Sequence, residues 1–81
     1  MVPSLEDEVF ESIRKTCTQE MPSLTLTRES KLADLGIDSM KMIEIAYLLE
    51  KRFGIEVKQE ILLQLTDINS VIEMVRSELA Q

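Results

Sequence analysis

Few residues in this chain are equipped to do chemistry. Its 81 residues include no histidine and a single cysteine, Cys17. General acid–base catalysis near neutral pH would fall to a perturbed carboxylate, Cys or Lys. A small hydrolase built on a serine would lack the histidine that activates the hydroxyl. A metal would have to rely on carboxylates, and their spacing follows no calcium-loop pattern. No catalytic residue and no metal ligand is therefore expected. What remains is Ser39, in the run Gly36-Ile37-Asp38-Ser39-Met40-Lys41. It sits where a glycine-bearing loop meets a long amphipathic segment, so the pattern predicts it in the first turn of a helix. Backbone N–H groups are unpaired there and the helix dipole favours anions. A phosphate ester on the hydroxyl would be electrostatically favoured, against some repulsion from Asp38. Gly36 would let the loop turn tightly and leave the site open. Taken alone, the same residues also describe an ordinary helix start.

The elements that must position Ser39 are helical. Leu5, Val9, Phe10, Ile13 and Cys17 recur at helical spacing, and Ser4 with Asp7 resembles a capping box, which predicts a first helix over roughly 4–18. Cys17 falls on its inner side. Met21-Pro22-Ser23 is a breaker, because proline disfavours helix at the residue before it. "SLTLT" alternates like a strand but has no partner strand, so Leu24 and Leu26 are read as loop residues pinned onto the core. A connection as long as 19–37 in so small a domain is more often functional than idle. Asp38 is a good N-cap for a second helix over 39–53, with Met42, Ile45, Leu49 and Phe53 on one stripe and Ile43, Ala46 and Tyr47 beside it. Gly54 supplies the left-handed stop. "IEV" is an extended link, and "KQEILLQL" predicts one or two turns at 58–64. Thr66 is expected to cap the last helix, with Ile68, Val71, Ile72, Val75 and Leu79 as its apolar stripe. The fold class is all-α: a small four-helix bundle with three longer helices, one short third helix and a long loop between helices one and two. Residues 1–81 are expected to form a single domain.

Composition narrows the function classes. The net charge of −6, from 15 acidic and 9 basic residues, repels nucleic acid and anionic membrane at long range. Hydrophobic residues at 44% and charged residues at 30% fit a globular chain. No run approaches the length of a membrane span, and the acidic N-terminus "MVPSLEDEVF" lacks a signal-peptide pattern. The one cysteine suits a reducing compartment. A cytoplasmic, monomeric protein that neither binds nucleic acid nor inserts into a membrane is expected. The starting Met and short length point to a free-standing chain.

The segment "SKLADLGIDSMKMIEIAYLLEKRFGIEV" resembles the central segment of acyl carrier proteins. The matching residues are Leu32, Asp34, Leu35, Gly36, Asp38, Ser39, Glu44, Leu48, Glu50, Phe53 and Gly54. The long loop, short third helix and capped fourth helix extend the resemblance over nearly the whole chain. It implies a non-catalytic carrier whose serine, here Ser39, is esterified with 4′-phosphopantetheine from coenzyme A. The cargo then rides as a thioester and is presented to enzymes of fatty-acid or polyketide biosynthesis. Asp38 matches the residue that the phosphopantetheinyl transferase recognises. The partners implied are that transferase, an acyl-loading ligase or transferase, and a ketosynthase or other biosynthetic enzymes.

Three departures bear on partner choice. Met40 replaces the usual Leu, Lys41 is basic where fatty-acid carriers commonly have an acidic residue, and Met42 stands where a small polar residue is frequent. Met40 is flexible and apolar like Leu and should keep partner contact, whereas Lys41 and Met42 hint at a dedicated pathway such as a stand-alone polyketide carrier. Met40, Lys41, Ile43, Glu44 and Glu50 are the expected partner-binding residues. Glu44 and Glu50 would offer a docking face to Arg and Lys of partner enzymes. Ile45, Ala46, Leu49, Ile61, Leu62 and Val71 could line a slot for an acyl chain between helices two and three, or form plain core. Tyr47 is expected to pack. The alternatives are a carrier of an amino acid, of D-alanyl or peptidyl type, and an unmodified carrier-like module that uses its acidic surface to bind proteins.

Overall fold

The structure, a computed structural model, describes residues 4–17 and 26–80. The expected breaker at Met21-Pro22-Ser23 and the expected anchor Leu24 lie outside the described residues, as does the Cys17 side chain. Four helices are found among the described residues: α1 (Leu5–Cys17), α2 (Ser39–Phe53), α3 (Gln59–Leu62) and α4 (Ile68–Leu79). The all-α, four-helix expectation holds, including the short third helix.

Each longer helix contributes one apolar stripe, and the stripes meet. Val9 and Ile13 of α1, Ile45 and Leu49 of α2, and Ile68, Val71, Ile72 and Val75 of α4 are almost wholly removed from water. At about 1.5–3 kcal/mol for each fully buried aliphatic side chain, this cluster is the main source of stability. Ser12, the one buried polar residue among those described, satisfies its hydroxyl by donating to the Glu8 carbonyl at 3.0 Å. Leu79, expected on the α4 stripe, is left 45% exposed in the last turn.

The helix boundaries have identifiable causes. Ser4 Oγ accepts from the Asp7 amide at 3.2 Å and starts α1. Asp38 is extended, and its carboxylate accepts from the Lys41 amide at 2.9 Å to start α2. Gly54, at φ 66°, closes α2, and its N–H returns to the Glu50 carbonyl. The cap of α4 is Asp67, one residue after the expected Thr66. Asp67 accepts from the Ser70 amide, and the Ser70 hydroxyl is turned back to the Asp67 backbone. A carboxylate with a reciprocal partner three residues on outcompetes the neighbouring threonine.

The approach to α2 is fastened to the start of α4. The Leu32 amide donates to the Thr66 carbonyl at 2.9 Å, Ile68 to Ser30 at 3.0 Å, and Asn69 to Arg28 at 2.8 Å. Arg28 also reaches Glu6 of α1 and Asn69 and Glu73 of α4. Leu32, Leu35 and Ile37 sink into the core from this loop, and Leu26 packs against it. A single turn over 32–36 ends at Gly36, φ 74°, with Ile37 N–H returning to the Leu32 carbonyl at 3.1 Å. That turn delivers the chain to Asp38 and Ser39.

Candidate functional site

Ser39 is the first residue of α2, and it is exposed. Three elements hold it in place. The buried Ile37 anchors the chain behind it, Asp38 caps the helix, and Met42 and Ile45 pin the next turns to the core. Beside Ser39 a groove of about 180 Å³ opens between α2 and α3. Its walls are mainly apolar: Ile37, Met42, Ile43, Leu62, Leu63 and Leu65, with Asp38, Ser39 and Gln59 at its polar edge. A second groove of about 350 Å³ continues along the other flank of Ile43 and Leu62, past Ala46, Tyr47 and Val57.

This arrangement can hold a group attached to Ser39. The hydroxyl faces solvent, so an enzyme can reach it. The N-terminus of a 15-residue helix favours negative charge there. The apolar groove begins at the same residue. Among the described residues no His/Cys/Asp/Glu cluster could hold a metal ion.

The residues expected to line an acyl slot divide. Leu62 lines both grooves, and Ala46 lines the second. Ile45, Leu49 and Val71 are sealed in the core at 0–1% exposure. Ile45 and Leu49 belong to the core-facing stripe of α2, roughly 120–160° round the helix from Ile43, and Val71 lies on the core-facing stripe of α4. Ile61 points to the other side of α3, into a groove shared with Leu65, Ser70 and Met74 of the α4 side. Ile37, Gln59, Leu63 and Leu65 line the groove at Ser39 and were missed, because α3 is too short to give a readable period and Ile37 and Leu65 lie in connections that have none.

The expected partner-binding residues also divide. Met40, Ile43 and Glu44 are exposed and Lys41 is half-buried. Glu50 is half-buried too, and its carboxylate accepts from the Val57 amide at 2.9 Å, which gives it a partner inside the chain. Tyr47, expected to pack, is 56% exposed, and the Lys51 ammonium lies 5.1 Å from its ring centre.

The comparisons with known proteins agree with this geometry. Residues 8–75 match the family model described as the phosphopantetheine attachment site. The chain belongs to that family. It is 32% identical over 72 residues to the acyl carrier protein of Campylobacter hominis, covering 82% of this chain and 91% of that one. It is 40% identical over 52 residues to a non-reducing polyketide synthase of Emericella nidulans, covering 64% of this chain but only 2% of the synthase. In structure it is similar to the acetyl actinorhodin acyl carrier protein of Streptomyces coelicolor, with a TM-score of 0.79 at 19% identity, covering 93% of this chain and 90% of that one. As an acyl carrier protein, the chain bears a covalent 4′-phosphopantetheine group and carries acyl groups for fatty-acid or polyketide synthesis. Enzymes of such synthesis are its partners.

Proposed function

We propose that Ser39 is the residue to which the phosphopantetheine arm is esterified. The observation that carries this is the coincidence at one residue of an exposed hydroxyl, an Asp-capped helix N-terminus and the mouth of an apolar groove. The arm supplies a thiol on which cargo rides as a thioester. The chain's own residues do the rest. Ile37 and Asp38 hold the serine at the surface, and the N-terminus of α2 offsets the negative charge of the phosphodiester. Ile43, Leu62, Leu63 and Leu65 offer an apolar wall to the start of an acyl chain. Asp38 is the residue that a phosphopantetheinyl transferase reads, and Met40 and Glu44 lie beside it on the same helix.

On this reading residues 1–81 act as one non-catalytic domain. It works as a monomer in the cytoplasm, is loaded by a ligase or transferase, and meets a ketosynthase or related enzyme. Among the described residues no helix is long and apolar enough to cross a membrane. The test is intact-protein mass spectrometry after incubation with coenzyme A, magnesium and a broad-specificity phosphopantetheinyl transferase. The expected result is a gain of one phosphopantetheine by the parent chain and none by Ser39→Ala. A folded parent that gains nothing with several transferases would leave Ser39 a helix start and favour the unmodified interaction module. A gain that survives Ser39→Ala would place the arm elsewhere.

A further inference from the structure

The chain that leads to Ser39 has no helix of its own to hold it. Between Leu26 and Asp38 the backbone forms turns but no helix, so its order comes from what it is tied to. At the far end of this loop the ties converge on one side chain. The Arg28 guanidinium donates to Asn69 Oδ1 through Nε at 2.9 Å and through Nη2 at 2.7 Å. Nη1 meets the Glu6 carboxylate, and Nη2 lies 3.4 Å from that of Glu73. The Arg28 carbonyl in turn accepts from the Asn69 amide at 2.8 Å. Arg28 and Asn69 are thus joined by backbone and side chain at once. An exposed ion pair by itself contributes little. A planar fork that meets a neutral amide and carboxylates from two helices differs, because it fixes direction as well as distance.

What hangs from this clamp reaches Ser39. Downstream of Arg28, the Leu32 amide donates to the Thr66 carbonyl, and Leu32, Leu35 and Ile37 are buried. Ile37 is the last of these and stands two residues before the serine. It lines the groove at Ser39 and also a further groove of about 390 Å³ under the loop, beside Lys31, Ala33 and Thr66. With Met42 and Leu65, which line both as well, Ile37 forms the wall between them. Arg28's side-chain partners lie on α1 and α4, whereas Ser39 and its cap belong to the start of α2. The loop connects the two.

We propose that Arg28 is a positioning residue for the modification of Ser39. By clamping the loop onto α1 and α4 it fixes Ile37, and through Ile37 the place of Asp38 and Ser39. This rests on the carrier reading above and adds to it a residue remote from the serine. Without the clamp the loop can leave the start of α4 while the helices stay packed, since Val9, Ile45, Leu49, Ile72 and Val75 belong to the bundle and not to the loop. The serine then spends less time where a transferase can use it, and a small displacement of a reacting group costs rate steeply.

The test uses the full chain and a broad-specificity phosphopantetheinyl transferase, at a temperature where circular dichroism shows every variant folded. Arg28→Ala should lower kcat for transfer to Ser39 about fivefold and leave KM within about twofold, since the clamp's partners lie away from α2. Asn69→Ala should do the same. The double variant should be no slower than either single one, as expected of two residues acting as a unit. Arg28→Lys keeps the charge without the fork and should recover less than half of the lost rate. The control is Arg52→Ala. It removes an ion pair of 2.7 Å with Glu8, whose side chain is 15% exposed, and this pair ties α2 to α1 without the loop. This variant should melt at least as far below the parent as Arg28→Ala and still be modified at the parent rate. Amide hydrogen exchange gives a readout independent of the enzyme. In Arg28→Ala the amides of Leu32, Ile37 and Ile68 should exchange about tenfold faster, with those of α2 unchanged. Equal slowing of transfer by Arg52→Ala would make the effect one of stability and overturn the proposal, as would full recovery by Arg28→Lys. A parent chain that is modified, but is matched by Arg28→Ala in kcat or in exchange, overturns this role alone. A parent chain that takes no arm overturns the carrier reading and this role with it.

Discussion

Two helices of this protein begin alike and are treated differently by the rest of the fold. α2 and α4 each follow an extended aspartate, Asp38 and Asp67, whose carboxylate accepts from the amide three residues on. At α4 the opening is sewn shut. The amides of Ile68 and Asn69 donate to the carbonyls of Ser30 and Arg28, Ser70 returns its hydroxyl to Asp67, and Ile68 itself is fully buried. At α2 the corresponding first residue is Ser39, exposed, and no acceptor among the described residues meets the amides of Ser39 or Met40. The local code is the same. The difference comes from the 28–32 loop, which covers one helix start and leaves the other to solvent. A helix start closed by backbone serves stability, whereas an open one keeps its partial positive charge for an anion.

The comparison is broken most strongly at the two first helical residues. Ile68→Ala should cost about 2–5 kcal/mol, since it opens a cavity where α4 meets the core. Ser39→Ala at the equivalent place in α2 should change stability by less than about 0.5 kcal/mol. Urea denaturation of both variants measures this. Equal effects would mean that Ser39 is structural, and the open-site reading would lose its basis. The caps come next. Asp67→Ala removes one member of a reciprocal pair and should cost about 1–2 kcal/mol, while Asp38→Ala should cost about 0.5–1 kcal/mol. The two variants should reverse order in a modification assay, with Asp38→Ala slowing transfer to Ser39 and Asp67→Ala leaving it near the parent rate.

The open helix was the legible one. Asp38, the 39–53 span and Gly54 could all be read because α2 is long, periodic and bounded by residues with strong positional preferences. The closed helix was read with its cap misplaced, since Thr66 and Asp67 are both plausible caps and only the tertiary pairing of 28–32 with 66–69 chooses between them. The same holds for the loop. Leu32, Leu35 and Ile37 carry no helical period, yet the turn ending at Gly36 folds all three inward. Around Ser39 the serine and its cap were legible, but the groove was not. Its walls depend on how a four-residue helix sits against α2, so the sequence offered Ile45, Leu49 and Val71 for the slot and passed over Leu63 and Leu65.

The smallest expected effect concerns the far end of α2, where the open side of the molecule is tied down. α3 has no buried residue, and its cap, Lys58, makes no side-chain capping bond. Its position therefore leans on the link from Gly54 to Lys58. Glu50 holds that link twice, through its carbonyl to the Gly54 amide and through its carboxylate to the Val57 amide, both at 2.9 Å. Losing the side-chain bond in Glu50→Ala should cost about 0.5–1 kcal/mol. The effect should be local. Amide hydrogen exchange should speed up across 55–63 while the amides of α4 keep their protection, because the α4 start is closed by bonds that do not involve the link. Glu50→Gln retains an acceptor oxygen and should recover most of the protection. Should Glu50→Ala leave exchange in 55–63 unchanged, then Val57 and Leu62 hold α3 by apolar contact alone. The groove at Ser39 would then be set by packing, and the carboxylate would be released to a docking role after all.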